Sequence, residues 1–523
     1  MTNAAFHLGQ GHLTAGLALK MAQGSLPFTL TPESREKVLS SAARVAKIVA
    51  NGEVVYGVNT GFGPLCTTTI SKEETRILQQ NILKSHSVGV GPSIAPELGK
   101  LMLILKVHSL AKGFSGIRLE TLERLIWHVD NDCIPVVPSQ GSVGASGDLA
   151  PLSHLCLPLI GLGKVRYQGK EMTTAALFQK TGLRPLALGP KEGLALINGT
   201  QFIAAHAVKT LERLHNILEQ ADVIGAMMIE GLQGSVRPFY AALHALRPYK
   251  GSVHVAQRIH NLLQGSEIME DHINCERVQD PYSLRCIPQV HGASRNAWLH
   301  LKELLEVELN AVTDNPVILE NGDPISGGNF HGQPLAMALD YACLAASEMG
   351  NISDRRIYLA LEGNSPGVPK LLMEDTGINS GYMILQYTTA ALASENKGLC
   401  FPASADSIPT SLGQEDHVSM GSIGGRKALR VIGNVEKILA VELLTAAQAF
   451  EFRKPLKSGA FLEEVHRQIR KRVAFAEKDR VFAEDIEKGI AMVREQTLLK
   501  AIASVERARG LSLGTQFSET FRL

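Results

Sequence analysis

Hydrophobic residues in the second half of the chain recur at the three- and four-residue spacing of helices, over unusually long stretches. One face of segment 201–230 is apolar, at Leu211, Leu214, Leu218 and Ala221. The same segment becomes apolar on nearly every side at 223–229, which is typical of a helix in the middle of a bundle. Similar segments follow at 293–313, 333–362, 380–400 and 425–452. Five long helices in series predict a mainly α fold with a long central helical bundle.

The first 200 residues have a different pattern, in which shorter helical stretches alternate with loops rich in glycine. The helical stretches are 34–50, 72–86, 94–112 and 118–129, and the glycine-rich loops are 57–63, 89–92 and 139–147. Turn signals predict hairpins at 165–172 and 317–326, and an amphipathic helical stretch covers 484–509. We therefore divide the chain into a loop-bearing N-terminal domain, 1–200, and a helical body with C-terminal helices, 201–523.

Charge and composition exclude several classes of function. The 523 residues contain 52 Lys and Arg against 51 Asp and Glu, so the net charge of +1 provides almost no field to attract nucleic acid or an anionic membrane. No apolar run is long enough to cross a bilayer, and the N-terminus has no basic region before its apolar stretch. The seven cysteines are scattered without a CxxC pair, which favours a reducing compartment, and we expect a cytoplasmic protein.

The most unusual passage, residues 139–154, is dense in glycine and serine. The ordinary interpretation is a flexible loop followed by a helix that Asp148 caps. The Ala145-Ser146-Gly147 tripeptide supports a more specific interpretation, because glycine lacks a Cβ and its nitrogen can approach the carbonyl two residues back. Attack of the Gly147 nitrogen on the Ala145 carbonyl, followed by loss of water and of the Ser146 hydroxyl, would leave a methylene group conjugated to an imidazolone ring.

Several blocks of sequence resemble, in the same order, those of the aromatic amino-acid ammonia-lyases that make their own methylidene-imidazolone (MIO) electrophile. The blocks are YGVNTGFGP at 56–64, GSVGASGDLAPLSH at 141–154, NGTQ at 198–201, QDPYSLRC at 279–286, GNFH at 328–331, DSIPTS at 406–411 and QEDHVSMG at 414–421. The resemblance is greatest to the histidine-specific members. It implies an architecture of the fumarase/aspartase type and an MIO group formed from Ala145, Ser146 and Gly147, with no dissociable cofactor.

The functional positions of that family are occupied in this chain. The resemblance implies that Tyr56 is the catalytic tyrosine, on a lid loop made mobile by neighbouring glycines, and that Tyr282 also belongs to the catalytic set. Arg285 matches the arginine that pairs with the substrate carboxylate, a task that suits a planar guanidinium. Other matched positions bind the substrate or form the wall of its pocket: Asn198, Gln279 and Phe330.

Two positions indicate which amino acid is the substrate. The Ser85-His86 pair matches the histidine-specific lyases, and Glu415 stands where lyases acting on phenyl rings have glutamine. An imidazole has N–H groups that need acceptors, whereas a phenyl ring would leave a buried carboxylate uncompensated. The resemblance therefore implies elimination of ammonia from L-histidine to give trans-urocanate. A 2,3-aminomutase acting on histidine or tyrosine, or a catalytically inactive structural homologue, are the alternatives.

The resemblance also implies a homotetramer whose active sites combine loops from more than one subunit, with a small amino acid as substrate and neither nucleic acid nor membrane as partner. A metal site is not expected, because the runs at 271–276 and 415–417 lack further ligands at recognisable spacing. Positions near the matched blocks that depart from the usual histidine-lyase pattern leave the fine shape of the pocket open: Ile287, His291, Gly332, Gln333, Cys400, Phe401, Leu412 and Gly413.

Overall fold

The structure is a computed structural model that describes residues 5–65, 70–272 and 278–523, except for the side chains of Lys72 and Glu73. The α-helices are Ala15–Ala22 (α1), Pro32–Ala50 (α2), Lys72–His86 (α3), Pro96–Leu110 (α4), Leu119–Asp130 (α5), Leu149–Cys156 (α6), Thr174–Thr181 (α7), Glu192–Ile197 (α8), Gln201–Gly231 (α9), Ala241–Ala245 (α10), Lys250–Leu262 (α11), Glu267–Asp271 (α12), Tyr282–Arg285 (α13), Ile287–Leu309 (α14), Gln333–Leu361 (α15), Met383–Leu399 (α16), Gly421–Glu451 (α17), Ala460–Arg470 (α18), Phe482–Arg494 (α19) and Thr497–Arg509 (α20). The strands are Phe6–His7 (β1), Phe28–Thr29 (β2), Val90–Ser93 (β3), Ile134–Pro135 (β4), Pro138–Gln140 (β5), Lys164–Tyr167 (β6), Lys170–Thr173 (β7), Val317–Ile318 (β8) and Pro324–Ile325 (β9).

The prediction of a mainly α fold is confirmed, and each of the five long apolar segments is a helix: α9, α14, α15, α16 and α17. In α9, which has 31 residues, the predicted apolar face is buried at Leu211, Leu214 and Leu218. Burial of such a face supplies most of the stability of a long helix, which is why the periodicity located these elements well.

The ends of the helices were harder to predict than their positions. Helix α14 begins at Ile287, six residues before the apolar periodicity that predicted it, because Pro288 is tolerated in the first turn of a helix. The stretch 484–509 consists of two helices, α19 and α20. The break falls at Gln496, whose φ of 57° is left-handed and incompatible with a continuous right-handed helix.

Both predicted hairpins are present. Strands β6 and β7 pair antiparallel around Gln168 and Gly169, which have φ angles of 52° and 74°. Positive φ at both central residues is typical of the tight turn that suits the twist of a hairpin. Strands β8 and β9 pair around Asn321-Gly322. The remaining strand pairs are β1 with β2, β3 with β5, and β4 with β6.

The described residues group into two compact units, each made of three stretches of chain. The first unit comprises Met1–Thr210, Leu301–Asp340 and Pro402–Arg426. It contains the strands, and its helix α4 is buried along nearly its whole length. The division at residue 200 stays a prediction.

The second unit comprises Leu211–His300, Tyr341–Phe401 and Lys427–Leu523 and is almost entirely helical. Charged side chains lie in its interior, where Asp222 on α9 accepts hydrogen bonds from Arg258, Arg295 and His291. Buried charges are paired in this way because an isolated one would be too costly to desolvate. Within the described residues, none of the helices combines the length and the apolar character needed to span a membrane.

Candidate active site

The Ala145-Ser146-Gly147 tripeptide lies in a tight turn of the first unit. Gly147 has a φ of 74°, and a Cβ added there would lie 2.1 Å from the carbonyl oxygen of Gly199. Gly199 brackets this glycine, since its nitrogen donates to the Ser146 carbonyl (3.4 Å) and its carbonyl accepts from the nitrogen of Asp148 (2.8 Å). No residue other than glycine can occupy position 147 without moving backbone. The Asn198-Gly199 segment therefore holds the tripeptide in a bent conformation.

Asp148 anchors the end of this turn, but in a different way from the sequence expectation. Helix α6 does begin directly after Asp148, yet the carboxylate makes no capping bond to it. The side chain instead accepts from the nitrogens of Phe202 (3.0 Å) and Ile203 (2.9 Å), in the first turn of α9, and from the hydroxyl of Ser142 (3.2 Å). Burial raises the pKa of Asp148 to about 7, against the opposing effect of these bonds. Asp148 therefore occupies the N-cap position of α6 as expected, but its carboxylate does not cap that helix, because α9 supplies the backbone donors.

The Ser146 hydroxyl points at Glu415. Its Oγ donates to Oε1 of that carboxylate at 2.9 Å, while Oγ1 of Thr410 donates to Oε2 at 2.7 Å. Both carboxylate oxygens are thus occupied by hydroxyl groups. Bonds to an ionised acceptor are stronger than neutral ones and fix its direction.

Two cavities of the first unit meet at this point, with volumes of about 620 and 720 Å³. Five residues line both cavities: Tyr56, Gly63, Ser146, Asn315 and Glu415. The smaller cavity has an apolar wall that includes Phe62, Ile82, Leu149 and Leu194. An apolar pocket with a few convergent polar groups is typical of a site for a small molecule.

The polar groups that line the smaller cavity include His86 and Asn198. His86 is the last residue of α3, and its Nδ1 shares a hydrogen bond with the hydroxyl of Ser85 (3.0 Å). Burial lowers the pKa of His86, and the charge of Glu415 opposes that shift only in part. The imidazole is therefore neutral at physiological pH and can both donate and accept a hydrogen bond.

Asn198 is held by residues that the sequence analysis did not identify. Its side-chain amide donates to the backbone carbonyl of Asn315 (2.7 Å) and to Asp314 (3.4 Å), and its backbone carbonyl accepts from Lys106 Nζ. Asp314 also pairs with Lys191 at 2.7 Å. Burial lowers the pKa of Lys106 to about 8. The available signal was a lysine within the otherwise apolar run LMLILKV, which predicts a buried cation with a structural partner.

Tyr56 and Phe330 lie on loops at the edge of the same region. The hydroxyl of Tyr56 accepts a hydrogen bond from the nitrogen of Gly63 (3.2 Å), which folds its loop over the cavities. Phe330 lines the larger cavity beside His331 and His417, whose rings stack. The mobility expected of the Tyr56 loop stays a prediction.

The remaining predicted residues, Gln279, Tyr282 and Arg285, form a separate cluster in the second unit. The Arg285 guanidinium donates to Gln279 Oε1 (2.7 Å) and to the carbonyl of Asp280 (2.9 Å), and lies 4.6 Å from the centre of the Tyr282 ring. The Tyr282 side chain is 71% exposed. Gln279 and Arg285 line a small cavity of their own, of about 400 Å³. None of the three lines either cavity at Ser146.

Neither of the two acidic runs considered as metal sites is supported by the described residues. Across 5–65, 70–272 and 278–523, no three His, Cys, Asp or Glu side chains are placed to hold a metal ion. Cys275 and Glu276 lie outside the described residues.

Known proteins resemble this chain over nearly its whole length. The family described as "Aromatic amino acid lyase" matches residues 13–471. The histidine ammonia-lyase of Vibrio cholerae is 46% identical over 486 residues, which cover 92% of this chain and 95% of that protein. The crystal structure of histidine ammonia-lyase from Trypanosoma cruzi has a TM-score of 0.89 at 39% identity and covers 98% of this chain and 97% of its own. The tyrosine aminomutase of Streptomyces globisporus has a TM-score of 0.90 at 34% identity, with coverages of 96% and 99%.

Proposed function

The chain belongs to the aromatic amino acid lyase family, and we propose that it eliminates ammonia from L-histidine to give trans-urocanate. One observation supports histidine as the substrate: Glu415 and His86 line the same cavity as Ser146. A buried imidazole N–H needs an acceptor, which the Glu415 carboxylate provides. A phenyl ring in the same place would leave that carboxylate without compensation. The names of relatives at 44–46% identity agree with this choice.

We propose that Ala145, Ser146 and Gly147 form an MIO group. The conformation of the turn supports this, because Gly147 is held where a Cβ would meet backbone and the Gly199 bonds on either side of it do not use its nitrogen. That nitrogen is the atom required to attack the Ala145 carbonyl. When formed, an MIO group supplies an electrophile that converts the amine of the substrate into a better leaving group.

Other side chains would bind and orient the substrate around Ser146. Tyr56 lines both cavities next to Ser146 and Glu415, where its phenolic oxygen could take the proton from the β-carbon. The amide nitrogen of Asn198, which lines the smaller cavity, donates to Asn315 and Asp314, and these bonds fix the direction of the amide oxygen. Arg285 is suited to a bidentate pair with the substrate carboxylate, and its bond to Gln279 leaves the planar guanidinium oriented.

We further propose a homotetramer in which the Arg285 cluster of one subunit serves the Ser146 region of another. Exposed apolar side chains along α15 and α16 support self-association, because extended apolar patches are typical of interfaces: Tyr341, Leu344, Tyr358, Ile384 and Tyr387. Mixing Ser146→Ala and Arg285→Lys chains under conditions of subunit exchange tests sharing. Recovery of activity in the mixture is expected, and activity no greater than the sum of the two parents would contradict it.

A cytoplasmic location is also proposed. Three of the described cysteines, Cys133, Cys156 and Cys286, are free thiols, which agrees with a reducing compartment.

A substrate panel tests the proposed substrate. The purified protein is incubated with L-histidine, L-tyrosine and L-phenylalanine, and the Glu415→Gln variant is measured in parallel. We expect turnover of histidine to exceed that of both others in the unaltered protein, and the variant to lose most of its histidine turnover. Preference for tyrosine, with a β-amino acid as product, would favour the aminomutase alternative.

A further inference from the structure

The loop from Thr410 to Glu415 is strained and closes on itself. The nitrogen of Thr410 donates to the carbonyl of Glu415 (2.9 Å), and the two residues form an isolated antiparallel bridge. Between them, Ser411, Leu412 and Gly413 have φ angles of 49°, 54° and 87°. Two successive left-handed residues other than glycine are costly and persist only where the surroundings require them. Leu412 is 93% exposed, so packing of its side chain does not explain this conformation.

The strained loop places the hydroxyl of Thr410 within hydrogen-bond distance of the carboxylate of Glu415, five residues later in the chain. Thr410 Oγ1 donates to Glu415 Oε2, and the backbone bridge between these residues does not use that hydroxyl. The side-chain bond and the backbone bonds are therefore separable by substitution. A valine has the same shape as threonine and keeps the backbone bridge, but it cannot donate.

The two hydroxyl partners of Glu415 differ in what happens to them. Ser146 Oγ, which donates to Oε1, is the oxygen that leaves as water if the proposed MIO group forms. Thr410 is not consumed. Once the Ser146 hydroxyl is gone, Oε1 of this cavity-lining carboxylate has lost its donor, and Thr410 still holds Oε2. The carboxylate is thus left with one bound oxygen and one available oxygen.

We propose that Thr410 is a positioning residue that directs Glu415 Oε1 toward the imidazole ring of the substrate, an inference that rests on the proposed function. Without the Thr410 hydroxyl, the carboxylate can rotate about its last bond and neither oxygen keeps a fixed direction. The preference of the site for a substrate whose ring has N–H groups then weakens, because the acceptor is no longer preorganised. Thr410 has no contact of its own with the substrate in this proposal.

A double-mutant cycle tests this role. The variants are Thr410→Val, Thr410→Ser, Glu415→Gln and the Thr410→Val/Glu415→Gln pair, with Thr181→Val as a matched control whose hydroxyl donates only within α7. Removing a hydrogen bond to a charged group predicts a fall in kcat/KM for histidine of about ten- to a hundredfold in Thr410→Val, mostly as a higher KM. The kcat/KM of Thr410→Ser should stay within about threefold of that of the unaltered protein. The kcat/KM of Thr181→Val should equal that of the unaltered protein.

Binding of trans-urocanate, measured by calorimetry, gives a readout that does not depend on turnover. We expect its Kd to rise in Thr410→Val by the same factor as KM, and to be equal in Glu415→Gln and in the double variant, because the threonine acts through the carboxylate. The intact mass should show the loss of two water molecules in every variant. If Thr410→Val fails to fold, Thr410→Ala takes its place in the cycle.

The outcomes separate the two proposals. Histidine that is neither bound nor converted by the unaltered protein would overturn the proposed function. Normal conversion by the unaltered protein, together with an unchanged KM and Kd in Thr410→Val, would overturn only the role of Thr410. The same would follow if Thr410→Val weakened urocanate binding equally with and without the Glu415 carboxylate, since that result indicates a general effect on the loop.

Discussion

The residues around Ser146 and those around Arg285 differ in how many buried partners fix their side chains. In the first unit, the Ser146 hydroxyl is bonded to Glu415, and the amide of Asn198 is bonded to buried Asp314. Buried Asp148 ties the end of the turn to the first turn of α9. In the second unit, Arg285 is bound to Gln279 and lies over the exposed ring of Tyr282. The first group is preorganised for chemistry at one position of the backbone. The second presents a guanidinium that can exchange its partner for a carboxylate.

This difference predicts that substitutions in the two groups will separate formation of the proposed MIO group from binding of the substrate. The largest effect is expected for Ser146→Ala, which removes the hydroxyl that must leave. Activity should fall by on the order of a thousandfold or more. Mass spectrometry of the intact chain should show no loss of two water molecules. A Ser146→Ala protein with full activity would refute the assignment of the tripeptide.

Arg285→Lys should affect binding alone. A lysine cannot form the planar bidentate pair, so kcat/KM should fall by about a hundredfold, while the intact mass still shows the loss of both water molecules. Arg247→Lys is the matched control, because Arg247 also lies over a tyrosine ring, Tyr249, at 5.1 Å. An intact mass without the water loss in Arg285→Lys would show that the two groups are not separable.

The loss of unfolding free energy in Gly147→Ala measures how rigidly the backbone around the tripeptide is held. Gly182 has the same φ of 74° but nothing within 4 Å of an added Cβ, whereas at Gly147 that atom would lie 2.1 Å from the Gly199 carbonyl. Gly182→Ala should cost about 1 kcal/mol of unfolding free energy, and Gly147→Ala about 3 kcal/mol or more. Thermal unfolding of the two variants gives the comparison. Equal losses would mean that the Gly199 segment gives way and does not hold the tripeptide.

A smaller effect, dependent on pH, is expected at Asp148. Because burial raises its pKa to about 7, the folded protein keeps a proton that the unfolded chain has released above its ordinary value near 4. The stabilising contribution of the protonated group is present at low pH and is lost as the pH rises through about 7. The unaltered protein should therefore lose about 1–3 kcal/mol of unfolding free energy, relative to Asp148→Asn, as the pH rises from about 5 to about 8. A difference independent of pH would show that the carboxyl group is ionised throughout.

The sequence located the long helices and the Ala145-Ser146-Gly147 tripeptide because both depend on local pattern. Apolar periodicity predicted α9 and α17 closely, and the glycines around Ser146 predicted a loop, in which Gly144 and Gly147 have positive φ. The partners of buried polar groups could not be predicted in this way. The two backbone donors to Asp148 lie more than fifty residues away in the sequence, and Lys106 is separated by 92 residues from Asn198, to which it donates. Thr410 is close to Glu415 in sequence, but only the strained conformation of its loop brings the two side chains together.

We propose above all that this chain removes ammonia from L-histidine at a site centred on Ser146. The most direct test is to incubate the purified protein with L-histidine and to follow the ultraviolet absorbance of trans-urocanate together with free ammonia. We predict that the two products appear in equal amounts and that neither appears with the Ser146→Ala variant. Consumption of histidine with a β-amino acid as product and no ammonia, or no consumption at all, would contradict the claim.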